Sequence, residues 1–341
     1  MAGCCKFKSG KTLLTLLAIA AIPTIPAIIN RTVCDNKFRE LDAPGDMIEI
    51  RPGESIHAVS LGEGKYTVVM FSGLGTPCPY ADFHELAEKL SAFCRVIIPE
   101  LPGYGFSSLT DAPRTFENYD REITTVLDYY GVKENVILMP HSYSGLFTFD
   151  YAKRHRDVVC GLLNEDASVW PQLKLWAQPR SIPESVKSKL QDIGARYYGT
   201  IFMNKLIDKF FPDKGDPYTH MVHEMAYVRI GNKTVGAESD ALKVMSEMLW
   251  GQKYDEDLPV LNMIASSEES AKVDERFLKE AGMTWPQMHE VLVSNEAIQK
   301  MVKINGAEHY IHHGHTDDIV KLAGWFIEDL ERGEFRDTKE I

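Results

Sequence analysis

The sequence predicts an α/β fold: an eight-stranded, mostly parallel sheet with helices on both faces and a helical lid inserted after strand six. Three observations carry this. Eight short runs of apolar and β-branched residues are spread over the 341 residues. From the third run onward, stretches with apolar residues at i, i+3, i+4 and i+7 fall between them, the pattern of helices that cover a buried parallel sheet. Residues 170–255 then break the alternation with aromatic residues at helical spacing and no strand-like run. The length suits one large domain with an insertion.

Met47–Ile50 and Ser55–Leu61 read as two strands around the turn at Arg51-Pro-Gly-Glu. Gly62-Glu-Gly leads into Tyr66–Phe71, apolar enough for burial on both faces. Phe83, Leu86, Ala87 and Leu90 mark the first helix, and Arg95–Pro99 the next strand. Tyr119, Ile123, Val126, Leu127 and Tyr130 mark a helix stopped by Gly131. Val136–Met139 is a strand and Gly145–His155 the helix that leaves it. Val158–Leu163, Pro259–Ala265 and Met301–Ile304 are the remaining strands. Thr316 caps a closing amphipathic helix whose first turn holds Asp317 and Asp318, favourable to its dipole. Residues 32–169 and 256–341 form the predicted core and 170–255 the lid.

Residues 1–31 differ from the rest. Lys6, Lys8 and Lys11 precede the uncharged run Leu13–Ile29, and Arg31 follows. This pattern predicts a single N-terminal membrane anchor with the body outside the cytoplasm; a cleaved export signal is the alternative, with a secreted product. The net charge of −12 and the absence of a Lys/Arg run in the body exclude a nucleic-acid surface. Cys34, Cys78, Cys94 and Cys160 lack metal-type spacing and read as free thiols, with one disulfide as the alternative if the body is exported. Asn30-Arg-Thr and Asn232-Lys-Thr match the glycosylation acceptor pattern.

The chemistry concentrates at Ile137-Leu-Met-Pro-His-Ser-Tyr-Ser-Gly145. A serine lifted off a sheet edge by a sharp strand-to-helix turn faces a helix N-terminus and a free backbone N–H, which suits a nucleophile. So tight a turn requires small residues two places before and after the nucleophile. Centred on Ser142 these are Pro140 and Ser144; centred on Ser144 the second is Leu146, which is too large. Sterics therefore select Ser142, with Pro140 as a departure from the usual glycine. Phe71-Ser-Gly-Leu-Gly75 follows the third strand and offers the backbone N–H of Leu74 to an oxyanion, with that of Tyr143 as the second donor. Arg95-Val-Ile-Ile-Pro-Glu-Leu-Pro-Gly-Tyr-Gly-Phe-Ser-Ser108 then turns the chain back across the sheet.

With these three segments the chain resembles the α/β-hydrolase family over about residues 45–331. The resemblance implies that family's fold and a Ser–His–acid mechanism. Its Gly-x-x-His pattern matches Gly306-Ala-Glu-His309, making His309 the expected base. His312, His313 and His315 share that loop; a metal is not expected, because one loop supplies no other ligand set. The acid stays open between Asp166, after the sixth strand, and Glu268, after the seventh, with Glu165 and Glu269 behind them. Resemblance to a membrane-anchored bacterial branch with a Pro-His-Ser-x-Ser-Gly elbow favours Asp166. The expected activity is hydrolysis of a carboxylic ester or related acyl bond in an apolar small molecule, without cofactor. Carbon–carbon bond hydrolysis, peptidase activity and a catalytically silent small-ligand binder are the alternatives.

Overall fold

The computed structural model describes residues 44–172 and 216–341 continuously, with Thr32, Asn36, Phe38–Asp42, Leu175, Ile207 and Asp208 besides. The apolar run 13–29, Cys34, Asn30 and the lid aromatics between Trp176 and Phe211 lie outside the described residues. Among those described, no helix is long and apolar enough to cross a membrane.

Eight strands form one sheet: β1 (Asp46–Arg51), β2 (Glu54–Leu61), β3 (Thr67–Phe71), β4 (Arg95–Glu100), β5 (Val136–Pro140), β6 (Val159–Glu165), β7 (Val260–Ser266) and β8 (Gln299–Asn305). Their spatial order is β1-β2-β4-β3-β5-β6-β7-β8. β2 is antiparallel to both β1 and β4, and every other pair is parallel. The predicted strands are all present, within two residues at each end.

Alternation along β3 shows how the two faces are covered. Val69 and Phe71 enter one apolar cluster, with Tyr119, Ile123, Leu146 and Phe147. Val68 and Met70 enter the other, with Phe83, Leu86, Leu90, Leu322 and Phe326. The first cluster is roofed by α2 (Phe116–Tyr129) and α3 (Ser144–Arg154), the second by α1 (Pro79–Leu90) and, at the chain's end, α8 (Thr316–Arg332). A strand buried on both faces needs apolar residues at every position, and β3 and β5 are buried throughout.

Between β6 and β7 the described chain is helical: a 3₁₀ turn at Trp170–Gln172, then α4 (Pro217–Arg229) and α5 (Lys233–Met248). Asp216 and Asn232 cap α4 and α5 through their side chains. Asn232 is 1% exposed and its amide donates to the Gly103 and Arg229 carbonyls, so this acceptor motif is spent on capping and cannot carry a glycan in the folded chain. Two helices occupy a stretch where the sequence pattern predicts no element: α6 (Glu268–Ala281) and α7 (Trp285–Glu290). α6 buries Phe277 and Ala281, with Val273 packed against the same cluster, at i, i+4 and i+8 along the helix. α7 opens with a capping box from Thr284 and Gln287. Cys78, Cys94 and Cys160 are free thiols.

β3 lies at the sheet's switch point. From it the chain passes to β4 on one side and returns to β5 on the other, leaving a crevice at the carboxyl ends of β3 and β5. Loop 101–108 is held there by Glu100, fully buried. It accepts from Tyr80 N (3.1 Å) and Phe106 N (2.8 Å), and His57 Nδ1 lies 2.8 Å away. Gly105, at φ 43°, passes so close that an added Cβ would overlap the Glu100 carboxylate. Gly105→Ala is accordingly expected to cost about 3 kcal/mol or more, from overpacking plus a left-handed backbone. Urea unfolding followed by circular dichroism checks this.

Candidate active site

Ser142 has φ 54°, a left-handed conformation that costs an L residue about 1–2 kcal/mol. Hydrogen bonds enforce it. The Ser142 carbonyl accepts from Gly145 N (3.0 Å) and Ser168 N (2.6 Å), and His141 N donates to Phe71 O across the ladder (2.8 Å). Ser144 is fully buried and its hydroxyl lies within bonding reach of two carbonyls, Phe71 O (2.9 Å) and His141 O (2.8 Å). It ties the turn together and leaves no hydroxyl for the crevice. Pro140 ends β5 opposite Phe71. Donors alternate sides along a strand, and His141 faces β3, so the N–H that proline lacks would have pointed at β6. The cost of proline is one bond in the β5–β6 ladder, not the geometry of the turn.

The structure brings Ser142, His309 and Asp166 into one hydrogen-bonded line. His309 Nε2 is 3.0 Å from Ser142 Oγ, and His309 Nδ1 is 2.6 Å from Asp166 Oδ2. Asp166 follows β6, and its other oxygen, Oδ1, accepts from Ala265 N (3.1 Å) and the Trp285 indole N–H (2.7 Å). Burial opposes the charge of Asp166, but these donors and His309 hold its carboxyl below the usual carboxylate range. For His309, burial disfavours protonation, while the Asp166 bond and charge outweigh it and raise the imidazole above its ordinary 6.5. An ionised Asp166 accepts from Nδ1–H, so Nε2 presents its lone pair to the Ser142 hydroxyl.

Glu268 is exposed in the first turn of α6, where its charge favours the helix dipole, and the structure does not bring it to His309. Glu269 lines the crevice, and Glu165 is fully buried against His312 rather than His309. Leu74 and Tyr143 both border the crevice, and neither backbone N–H is spent on another bond among the described residues. Gly73 lets this loop approach: a Cβ there would lie 3.1 Å from Ser142 Cβ. The crevice encloses about 470 Å³, with Leu74, Leu242, Val273, Phe277 and Trp285 as apolar walls and Asp274 and Glu308 at its border. That volume suits a small organic molecule.

Sequence reasoning missed three supports. Trp285 reaches Asp166 from α7; its Thr-Trp-Pro-Gln setting signals a helix start but not where the indole points. Glu238, on α5, is buried and accepts from Tyr104 OH (2.5 Å) and Tyr119 OH (2.8 Å). Tyr119 OH also meets Tyr143 OH at 2.7 Å, and Gly75 N donates to Tyr104 OH at 3.3 Å, so α5 is wired to both candidate oxyanion segments. Third, His312 is no loop filler. It is buried between Glu165 and Asp82, and although burial opposes its charge, the two carboxylates push it up to about 10. His141 beside it is pushed down to about 4 by burial, stays neutral, and donates from Nε2 to His309 O (3.0 Å), positioning the loop that carries His309.

Fold and crevice together define a hydrolase scaffold, and the alpha/beta hydrolase family model matches residues 68–322. The chain belongs to that family. Among curated proteins it is similar to the uncharacterized protein YbdG of Bacillus subtilis (strain 168), 26% identical over 126 residues, or 37% of this chain and 38% of that one. It thus spans about two-fifths of the length of the curated relatives it matches. Among solved structures it is similar to the epoxide hydrolase CorEH without ligand (TM-score 0.61, 16% identity, 84% of this chain and 99% of that one). It is also similar to the esterase RhEst1 from Rhodococcus sp. ECU1013 (TM-score 0.59, 19% identity, 84% of this chain and 98% of that one). At such identities these structures share the fold.

Proposed function

We propose that this chain is a serine hydrolase that cleaves a carboxylic ester of an apolar small molecule. The observation that carries the reading is the line Ser142 Oγ–His309 Nε2–His309 Nδ1–Asp166, built on a strained turn at the mouth of an apolar crevice. In this reading His309 Nε2 takes the Ser142 proton as Oγ attacks the carbonyl carbon, and the backbone N–H groups of Leu74 and Tyr143 hold the oxyanion. The imidazolium, stabilised by Asp166, gives its proton to the departing alcohol. Water activated by His309 then releases the acid and restores Ser142. No step passes through a cofactor. A serine at the elbow distinguishes this site from epoxide hydrolases, which in this fold attack through a carboxylate.

A panel of p-nitrophenyl esters of increasing chain length, run beside amide, thioester and vinylogous diketone substrates, tests the bond type. Ester turnover is expected to be fastest. Turnover confined to the diketone or the amide would replace this reading with a carbon–carbon hydrolase or a peptidase. Failure of a fluorophosphonate to label the protein would leave a ligand-binding member of the family. The pH dependence follows from His309. Its protonated form cannot accept the Ser142 proton, so kcat/KM is expected to fall as pH drops through a pKa above 6.5, the ordinary imidazole value. A pH–rate profile with the acid limb below that value would remove Asp166 from its assigned role.

For the remainder of the chain we propose residues 170–255 as a lid over the crevice and the run 13–29 as a membrane anchor holding the catalytic body outside the cytoplasm. Full-length protein is expected to require detergent for extraction; release by salt or alkali would overturn the anchor, and a mature N-terminus beyond Ile29 would identify a cleaved signal.

A further inference from the structure

Behind the crevice, two elements far apart in sequence bring three potential metal ligands together. Asp82 stands in the first turn of α1, and His312 and His313 in the loop between β8 and α8. One ligand atom from each lies within 4.8 Å of the others. Asp82 Oδ1 is 3.3 Å from His312 Nε2 and 2.7 Å from His313 Nε2. The first distance equals the edge of a tetrahedron with metal–ligand bonds of about 2.0 Å, and the second needs to open by only about half an ångström.

Independent of this spacing, the site has unspent binding capacity. Asp82 Oδ2 is buried and makes no hydrogen bond among the described residues, and His312 Nε2 has only its 3.3 Å approach to Asp82 Oδ1, although both residues are more than nine-tenths buried. Buried polar atoms are ordinarily satisfied. The far nitrogen of His312, Nδ1, faces Glu165 Oε1 at 2.5 Å, and the same oxygen accepts from His312 N at 2.9 Å. A carboxylate that fixes the tautomer and orientation of an imidazole is the usual outer support of a metal-bound histidine. The charges agree as well. Asp82 and Glu165 place two carboxylates in a dry interior beside the rings of Phe83 and Tyr310, and one divalent cation with neutral imidazoles cancels them.

We infer that Asp82, His312 and His313 bind a divalent cation of the zinc type, supported by Glu165. Two imidazoles and one carboxylate suit zinc rather than calcium or magnesium, which take oxygen ligands. His313, with 18% of its side chain exposed, is the route of entry. The cation takes the place of a proton on His312 Nε2 and ties α1 to the loop that carries His309. It stands outside the reaction steps proposed above.

The test uses tag-free full-length protein in detergent, purified without chelator, analysed by plasma mass spectrometry, then stripped and titrated calorimetrically with zinc chloride. About one equivalent of zinc is expected, with a higher thermal midpoint on loading. Asp82→Asn and His313→Ala are each expected to weaken binding by about tenfold or more, with circular dichroism reporting the fold of each variant. His313 is partly exposed, so its variant keeps the test usable if Asp82→Asn misfolds. Only trace zinc in the wild type together with no heat of binding would overturn the site. Binding unchanged in a folded His313→Ala variant would do the same, marking an adventitious ion elsewhere.

Discussion

Ser142→Ala is expected to lower kcat on any substrate the protein turns over by about 10⁶-fold, and to abolish fluorophosphonate labelling. Alanine keeps the Cβ and the left-handed φ of 54°, so the turn stays as strained as before and the thermal midpoint should hardly move. Ser144→Ala should do the reverse. Its hydroxyl sits between the Phe71 and His141 carbonyls, so its loss is expected to cost about 1 kcal/mol of stability and leave labelling in place. Rates and melting curves of the two variants together separate nucleophile from support. Labelling that survives Ser142→Ala would sink the proposed mechanism.

Asp166→Asn carries the second largest expected effect, a loss in kcat of about 10⁴-fold. An amide at this position can present its NH₂ to His309 Nδ1 and reverse the tautomer, leaving Nε2 protonated towards Ser142. It also removes the charge that raises the imidazole, so whatever acid limb remains should move down towards 6.5. Glu268→Gln should change kcat by less than about twofold, as for an exposed helix-start residue. Steady-state kinetics over pH decides between them; a large loss in Glu268→Gln alone would reverse the assignment. Trp285→Phe should fall between the two, because Asp166 keeps its bond from Ala265 N.

Much of this site is legible in the sequence, for local reasons. The choice of Ser142 over Ser144 rests on side-chain volume within a few consecutive residues. The candidate base rests on the resemblance of one short loop to the family's Gly-x-x-His pattern, and the alternation of strand and helix on periodicities of two and 3.6. Each of these is decided by neighbours in the chain. The choice of Asp166 over Glu268 is not open to such reasoning. Both follow a strand and both carry a carboxylate. What separates them is that Asp166, just after β6, points to the loop after β8, while Glu268 begins a helix facing solvent.

The supports are hidden for the same reason. Trp285 touches Asp166 across 119 residues, Glu238 meets Tyr119 at the same separation, and His312 meets Glu165 across 147. No composition or spacing encodes a contact at that range. His312 and His313 read as a loop with too few ligands because the third, Asp82, lies 230 residues upstream on α1. Which strands form and which serine the turn presents are written in the chain itself, because strand pattern, turn sterics and small-residue loops are properties of adjacent residues. Which carboxylate meets His309 and what surrounds His312 emerge only when the sheet is packed. Burial is what gives a carboxylate, an indole or an imidazole its partner, and burial belongs to the folded molecule, not to the order of its residues.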